Sequence, residues 1–222
     1  MNMTATRLVT LFGSTGKTGR ATARALLAAG FSLRAFARRP EALPAEIAGF
    51  TVAGDAMNAG DVAAAVKGAA AVVVSLGNSQ NPFAMLIGAK RTTHAHICEI
   101  GTRNVIEAMR VEGVRRLIVV SSFGVGDTRE LATRMTKVFF RLFLKEHMAD
   151  KEEQEKLVKA SGLDWTLIQP VALTDSPAKG QFLVSDRGQV RGGEISRADV
   201  AALIVSELGD QLHLSRTVTI SG

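Results

Sequence analysis

Tyrosine is absent from the 222 residues, and tryptophan and cysteine occur once each. One cysteine, Cys98, excludes an intramolecular disulfide and fits a reducing interior. Scarce aromatics leave few platforms on which nucleic-acid bases stack. The formal charge is +6, but the basic residues are scattered rather than gathered into a run with aromatics, so nucleic acid is not an expected partner. A polyanionic cofactor is reason enough for a basic chain. Long hydrophobic runs are missing too, and none approaches the ~18 residues of a membrane span. Residues 1–7 lack the apolar core of a signal peptide, and the apolar run after them is five residues long. The expectation is a cytoplasmic protein without a transmembrane segment. His94 and His96, two apart on a helix, face different directions, and the four histidines are scattered, so no metal site is expected.

What is present begins at residue 8. The apolar run Leu8-Val9-Thr10-Leu11-Phe12 breaks into Gly13-Ser14-Thr15-Gly16-Lys17-Thr18-Gly19 and then into a helical pattern. Strand, turn and helix in that order give the three glycines separate tasks. Gly13 permits the turn, Gly16 lets backbone approach a pyrophosphate, and Gly19 lets the helix lie close on the strand. The positive end of the helix faces the phosphates. The triplet Gly16-Lys17-Thr18 looks like the end of a nucleoside-triphosphate loop. That motif needs glycine where Leu11 stands, so the spacing excludes it.

Short runs rich in Val and Ile recur at 32–37, 51–53, 71–76, 117–122 and 165–169, as strands covered on both faces do. Helical patterns at 18–29, 61–66, 93–112 and about 148–160 each stop at a glycine. The alternation predicts an α/β fold, a single Rossmann-like doubly wound parallel sheet spanning 1–222. Residues 171–197 read as a small excursion on the substrate side, with a hairpin of 181–185 and 189–191. Residues 194–200 read as a helix capped by Ser196, and 217–220 as a closing strand.

Ligands in such sheets sit beyond the carboxyl ends of the strands. The second strand ends in Ala37-Arg38-Arg39-Pro40, without the acid that holds the ribose hydroxyls of NAD. Two guanidinium groups suit a 2′-phosphate, so NADP(H) is the expected cofactor, with Lys17 adding positive charge. A solvated turn is the alternative for the arginine pair. Asp55, after the third strand, is placed for the adenine or as a cap for the next segment. The strand-end positions Ala56, Leu76, Gly77, Asn78, Ser121, Ser122, Pro170, Val171 and Leu173 complete the cofactor candidates with Ser14, Thr15 and Thr18 of the loop.

The glycine triplet, the arginine pair, Gly54-Asp55, Gly101-Thr102-Arg103-Asn104, Val120-Ser121-Ser122 and Ser161-Gly162-Leu163-Asp164-Trp165-Thr166 ahead of Pro170 carry a resemblance. Over almost its whole length the chain resembles the atypical short-chain dehydrogenase/reductase group of NAD(P)H-binding or NmrA-like proteins, to which biliverdin-IXβ reductase/flavin reductase belongs. The resemblance implies a Tyr-x-x-x-Lys pair, which a chain without tyrosine lacks. At that spacing stand His147 and Lys151. His147 is the candidate proton donor, from an ordinary pKa near ~6.5, and Lys151 the candidate ribose contact and catalytic partner. A solvated helix face laced with ion pairs such as Glu152–Lys156 is the plain alternative for 145–159. The resemblance also implies a substrate hydroxyl at Ser122, while Ser121 points to the opposite face. The plain alternative is that both hydroxyls satisfy backbone at the strand end.

Residues 77–90 are expected as a lid or an excursion. The apolar stretch 138–144 is core, a pocket wall, a homodimer contact or a membrane-surface patch. The leading expectation is an NADPH-dependent reductase acting on a small conjugated acceptor. The alternative is a non-catalytic NADP(H)-binding redox sensor working through a protein partner.

Overall fold

The computed structural model describes residues 7–77, 93–131 and 144–222. Eight strands form one sheet, β1 (Leu8–Phe12), β2 (Ser32–Ala37), β3 (Thr51–Ala53), β4 (Ala71–Val74), β5 (Arg116–Val120), β6 (Asp164–Pro170), β8 (Leu183–Ser185) and β10 (Arg216–Ser221). Their order is β3-β2-β1-β4-β5-β6-β10-β8, parallel throughout except for β8 against β10. Two further strands, β7 (Ala172–Thr174) and β9 (Glu194–Ser196), pair in parallel beside it. The described helices are α1 (Lys17–Ala28), α2 (Ala45–Ala48), α3 (Ala59–Val66), α4 (Ile97–Glu112), α5 (Lys145–Lys159) and α6 (Arg197–Gly209). This is the doubly wound sheet the alternation predicts.

Alternation along each strand feeds two cores. Val9 and Leu11 of β1, Val73 of β4 and Ile118 of β5 pack on the α1 and α6 face. Phe12, Val72, Val74, Leu117 and Val119 pack on the face covered by α3 and α4. Strands buried on both faces have no solvent side, which is why they read as unbroken apolar runs. No described helix is long and apolar enough to cross a membrane.

The chain departs from the sequence reading at several places. Helix α4 starts at Ile97 rather than at residue 93 and ends at Gly113, whose left-handed backbone (φ 68°) lets Val114 N–H reach the Met109 carbonyl at 2.9 Å. Residues 189–191 form no strand. The partner of β8 is β10, and Arg191 N–H donates instead to Ser221 Oγ at 2.8 Å. Residues 194–196 are strand β9 rather than helix, because β7 offers them a ladder. The helix begins one residue later, with Ser196 Oγ accepting from Asp199 N–H at 2.9 Å as a cap. The expected lid over 77–90 lies, after Gly77, outside the described residues with Asn78, and so does 138–143 of the apolar stretch.

The largest difference is α5. Its charged sequence reads as a solvated face, yet Asp150, Lys151, Gln154, Glu155 and Val158 are buried. Their spacing is one helical stripe turned toward the sheet, polar where an apolar stripe is usual.

Candidate functional site: a cleft at the carboxyl ends of the strands

A cleft of about 610 Å³, measured out to its open mouth, lies across the carboxyl ends of β1 to β4. It brings together Gly13, Thr15, Gly16, Arg38, Gly54, Asp55, Ala56, Leu76 and Gly77 from the sequence candidates, and adds Phe36, Ala37, Ser75, Thr93 and Ile97. Thr93 and Ile97 escaped the sequence reading because the entry to α4 shows no capping signal.

The glycines are fixed by crowding. At Gly13 the backbone is left-handed (φ +82°), and a Cβ there would meet the Ser75 carbonyl oxygen at 2.3 Å. One at Gly19 would meet the Gly13 carbonyl oxygen at 2.1 Å. Gly16 N–H closes the turn on Gly13 O at 3.1 Å, and Gly16 then starts α1 with no side-chain cap and no acid in the first turn. An open helix N-terminus beside a backbone that tolerates no side chain is a fitting cradle for a dinucleotide's phosphates.

Ser14 is buried, and its hydroxyl ties the loop to β2 through the Phe36 carbonyl at 2.7 Å. Lys17 reaches Asp175 at 2.5 Å, beside the Arg197–Asp175 pair at 2.6 Å, so its ammonium holds the substrate-side segment onto α1. Thr18 offers its carbonyl to Thr22. Arg38 and Arg39 are exposed, and Arg38 lines the cleft. Asp55 lines the cleft, and its Oδ1 accepts from Met57 N–H at 3.0 Å; the cap of α3 is Asn58 instead.

Beyond β4 and β5 the buried face of α5 takes over. The Lys151 ammonium contacts the carbonyls of Val120 (2.9 Å) and Leu76 (3.3 Å) and Gln154 Oε1 (3.4 Å), so all three of its donors have acceptors within the protein. Asp150 caps α4 from outside, its two oxygens accepting from Cys98 N–H and Glu99 N–H, each at 2.9 Å. Glu155 Oε1 accepts from Ser121 Oγ at 2.5 Å and Gln169 Nε2 at 2.8 Å. Burial raises the Glu155 pKa, against the lowering effect of those two bonds and Lys159. Ser121 is therefore committed behind the sheet. Ser122 is half-buried, and among the described residues its hydroxyl makes only a 3.3 Å contact with the Phe123 carbonyl. Pro170 is buried, and Val171 and Leu173 are partly buried against the α1–α6 core; none of the three lines the cleft.

His147 lies beside Gly77, and its Nδ1 is buried without a partner among the described residues. Burial, helped by the Lys151 charge, pushes its pKa down to about 4 against the pull of Asp150. The ordinary pKa assumed from sequence is thus corrected: at neutral pH the imidazole is neutral. Burial likewise pushes the Cys98 thiol up to about 12. Among the described residues His96, Glu99 and Asp150 converge. Both Asp150 oxygens are spent on α4 amides, and Arg103 holds Glu99 at 2.6 Å.

Comparison with known proteins agrees with this geometry. Residues 13–211 match the NAD(P)H-binding family. A chloroplastic protein of Arabidopsis thaliana is 28% identical over 212 residues, 93% of this chain and 74% of the relative. ChuY, an anaerobillin reductase from Escherichia coli O157:H7, superposes with a TM-score of 0.77 at 26% identity, covering 96% of each chain. A Veillonella parvula short-chain dehydrogenase/reductase in complex with NADP reaches a TM-score of 0.80 at 18% identity, over 97% of this chain and 94% of that one.

Proposed function

The chain belongs to the NAD(P)H-binding family, and from that membership we propose an NADPH-dependent reductase acting on a small conjugated acceptor such as a flavin, quinone, tetrapyrrole or enone. One observation carries the choice of cofactor. The cleft runs from the glycine cradle to Arg38, and the tip of β2 holds Arg38-Arg39 with no acid. The same fold holds NADP in the Veillonella protein, and the reductase reading draws on ChuY at 26% identity.

NADPH supplies the hydride when bound. Gly13, Gly16 and the open end of α1 cradle its diphosphate, and Arg38 and Arg39 take the 2′-phosphate. Ser122 presents a hydroxyl whose long bond to its neighbour yields readily to a substrate oxygen. With no tyrosine and a neutral His147, no strong acid is at hand. The enzyme then favours acceptors whose reduced anion is already stabilised, protonated by water, Ser122 or the His147 N–H. A reducing compartment, which the lone cysteine fits, is part of this proposal, with the cytoplasm as its setting.

A second reading, a non-catalytic NADP(H) sensor, has its own support: the donors of Lys151 are all spent and the tyrosine is missing. The deciding experiment follows NADPH oxidation against a panel of flavins, quinones, tetrapyrroles and enones. Turnover of any of them above the uncatalysed rate sustains the reductase. Tight NADPH binding without turnover across the panel transfers the assignment to the sensor.

A further inference from the structure

We propose that Arg20 is a third guanidinium of the 2′-phosphate subsite and sets the preference for phosphorylated over unphosphorylated dinucleotide; this rests on the NADPH reading above. Arg20 sits on the first turns of α1, directly after Gly19. One turn on, Arg24 places both Nε and Nη2 on the Glu46 carboxylate at 3.0 and 2.8 Å. Arg20 has no carboxylate partner among the described residues, and neither have Arg38 and Arg39. Its Nη2 donates to the Ala42 carbonyl at 2.9 Å, while its Nε is buried without an acceptor among the described residues.

That placement ties Arg20 to the arginine pair. Ala42 N–H closes the 3₁₀ turn of Pro40–Ala42 on the Arg39 carbonyl at 3.1 Å, so the Arg20 guanidinium stands on the turn that follows Arg38 and Arg39. From the other side, Ser14 Oγ fixes the glycine loop to the Phe36 carbonyl, two residues before Arg38. The start of α1 and the tip of β2 thus form one fastened corner whose three arginines make no ion pair among the described residues, Glu41 of the same turn included.

Gathering like charges is unfavourable unless an anion joins them, and a buried donor without an acceptor carries a further cost. Guanidinium forks match the oxygens of a phosphate. The dinucleotide's diphosphate already has its place at the open N-terminus of α1. The anion for the β2 corner is therefore a separate phosphomonoester, which in an adenine dinucleotide is the 2′-phosphate. Arg20 is a signal the sequence hid, since an arginine after a glycine loop reads as an ordinary helix residue.

The test is equilibrium titration of the full chain with 2′,5′-ADP and with 5′-ADP, for the wild type, Arg20→Gln and Arg20→Lys. The wild type is expected to prefer 2′,5′-ADP. Arg20→Gln should weaken that ligand roughly tenfold, as loss of a charge-assisted bond does, and change 5′-ADP by no more than about twofold. Arg20→Lys, which keeps the charge without the fork, should fall between, and it serves as the readout if the glutamine variant is poorly folded. A wild type that prefers 2′,5′-ADP while both variants keep the same ratio overturns the role of Arg20 alone. Equal weakening of both ligands also overturns it, marking Arg20 as a fastener of the turn. A wild type with no preference overturns the NADPH reading and this inference together.

Discussion

His147 meets Lys151 on its own helix and Gly77 on the cleft wall, and burial holds it neutral with a pKa of about 4. The sign of the linked stability follows. A histidine whose folded pKa lies below its unfolded value of 6.5 binds its proton more readily in the unfolded chain. The fold is therefore unpenalised above pH 6.5 and loses stability as the pH falls from there toward about 4, by up to about 3 kcal/mol. Thermal unfolding of the wild type and His147→Asn across this range should show the wild type losing more; parallel curves would contradict the buried, neutral imidazole. Gly19 gives a sharper expectation. In Gly19→Ala the added Cβ meets carbonyl oxygen rather than a yielding side chain, so α1 must move off β1, at a cost of about 3 kcal/mol or more. Loss of NADPH affinity together with a lower unfolding midpoint is the expected result. Gly13, Gly16, Gly19 and Arg38 were legible because their demands are local, a turn, a close approach and a missing acid at a fixed spacing. The bonds of Asp150, Glu155 and Arg20 were not, since each depends on partners 14 to 52 residues away.

Helix α5 shows how an element's sequence misleads when its partners are polar. Five residues at positions 150, 151, 154, 155 and 158 share one buried stripe, as legible in spacing as any amphipathic face. Four of them are polar, however, so a reading by hydropathy turns the stripe to solvent. What makes the burial tolerable is partnership: Lys151 sits on strand-end carbonyls, Gln154 Nε2 on Thr102 Oγ1 at 2.8 Å, and Glu155 on Ser121 and Gln169. Asp150 acts on a second element, because its carboxylate ends the unpaired amides of α4, whose own cap residue, His96, supplies no side-chain bond. Asp150→Ala should therefore cost about 2 kcal/mol in urea unfolding, and Asp150→Asn, which keeps one acceptor oxygen for the two amides, about 1 kcal/mol. If α4 is indifferent to Asp150, the alanine variant unfolds with the wild type. Strands β1, β2, β5 and β6 were legible as double-sided apolar runs. β7 and β9 were not, since each exists only through the other.

The order β3-β2-β1-β4-β5-β6 reverses direction between β1 and β4. At that switch the connections leave to opposite faces, and the crevice left between them is the cleft at Gly13, Ser75 and Leu76. Element alternation alone made the sheet readable, and the sheet in turn dictated where to look. The substrate side did not follow, because residues 171–197 take their course from contacts with β10, α1 and α6 rather than from any period of their own. Asp175 is the clearest of these contacts, joining Lys17 at the first turn of α1 to Arg197 at the first turn of α6. A dinucleotide in the cleft touches loops from four strands at once, so its binding should be felt by the whole cooperative unit. A ligand that binds only the folded chain stabilises it by about 2.7 kcal/mol at a hundred times its dissociation constant. The melting temperature should therefore rise with NADPH concentration, and rise less with NADH at the same concentration. Raised salt should narrow that difference if, as proposed, the 2′-phosphate is held by exposed arginines, whose charge mobile ions screen. Equal rises for both cofactors at every salt concentration would place recognition wholly at the glycine cradle and leave the arginine corner without a part in it.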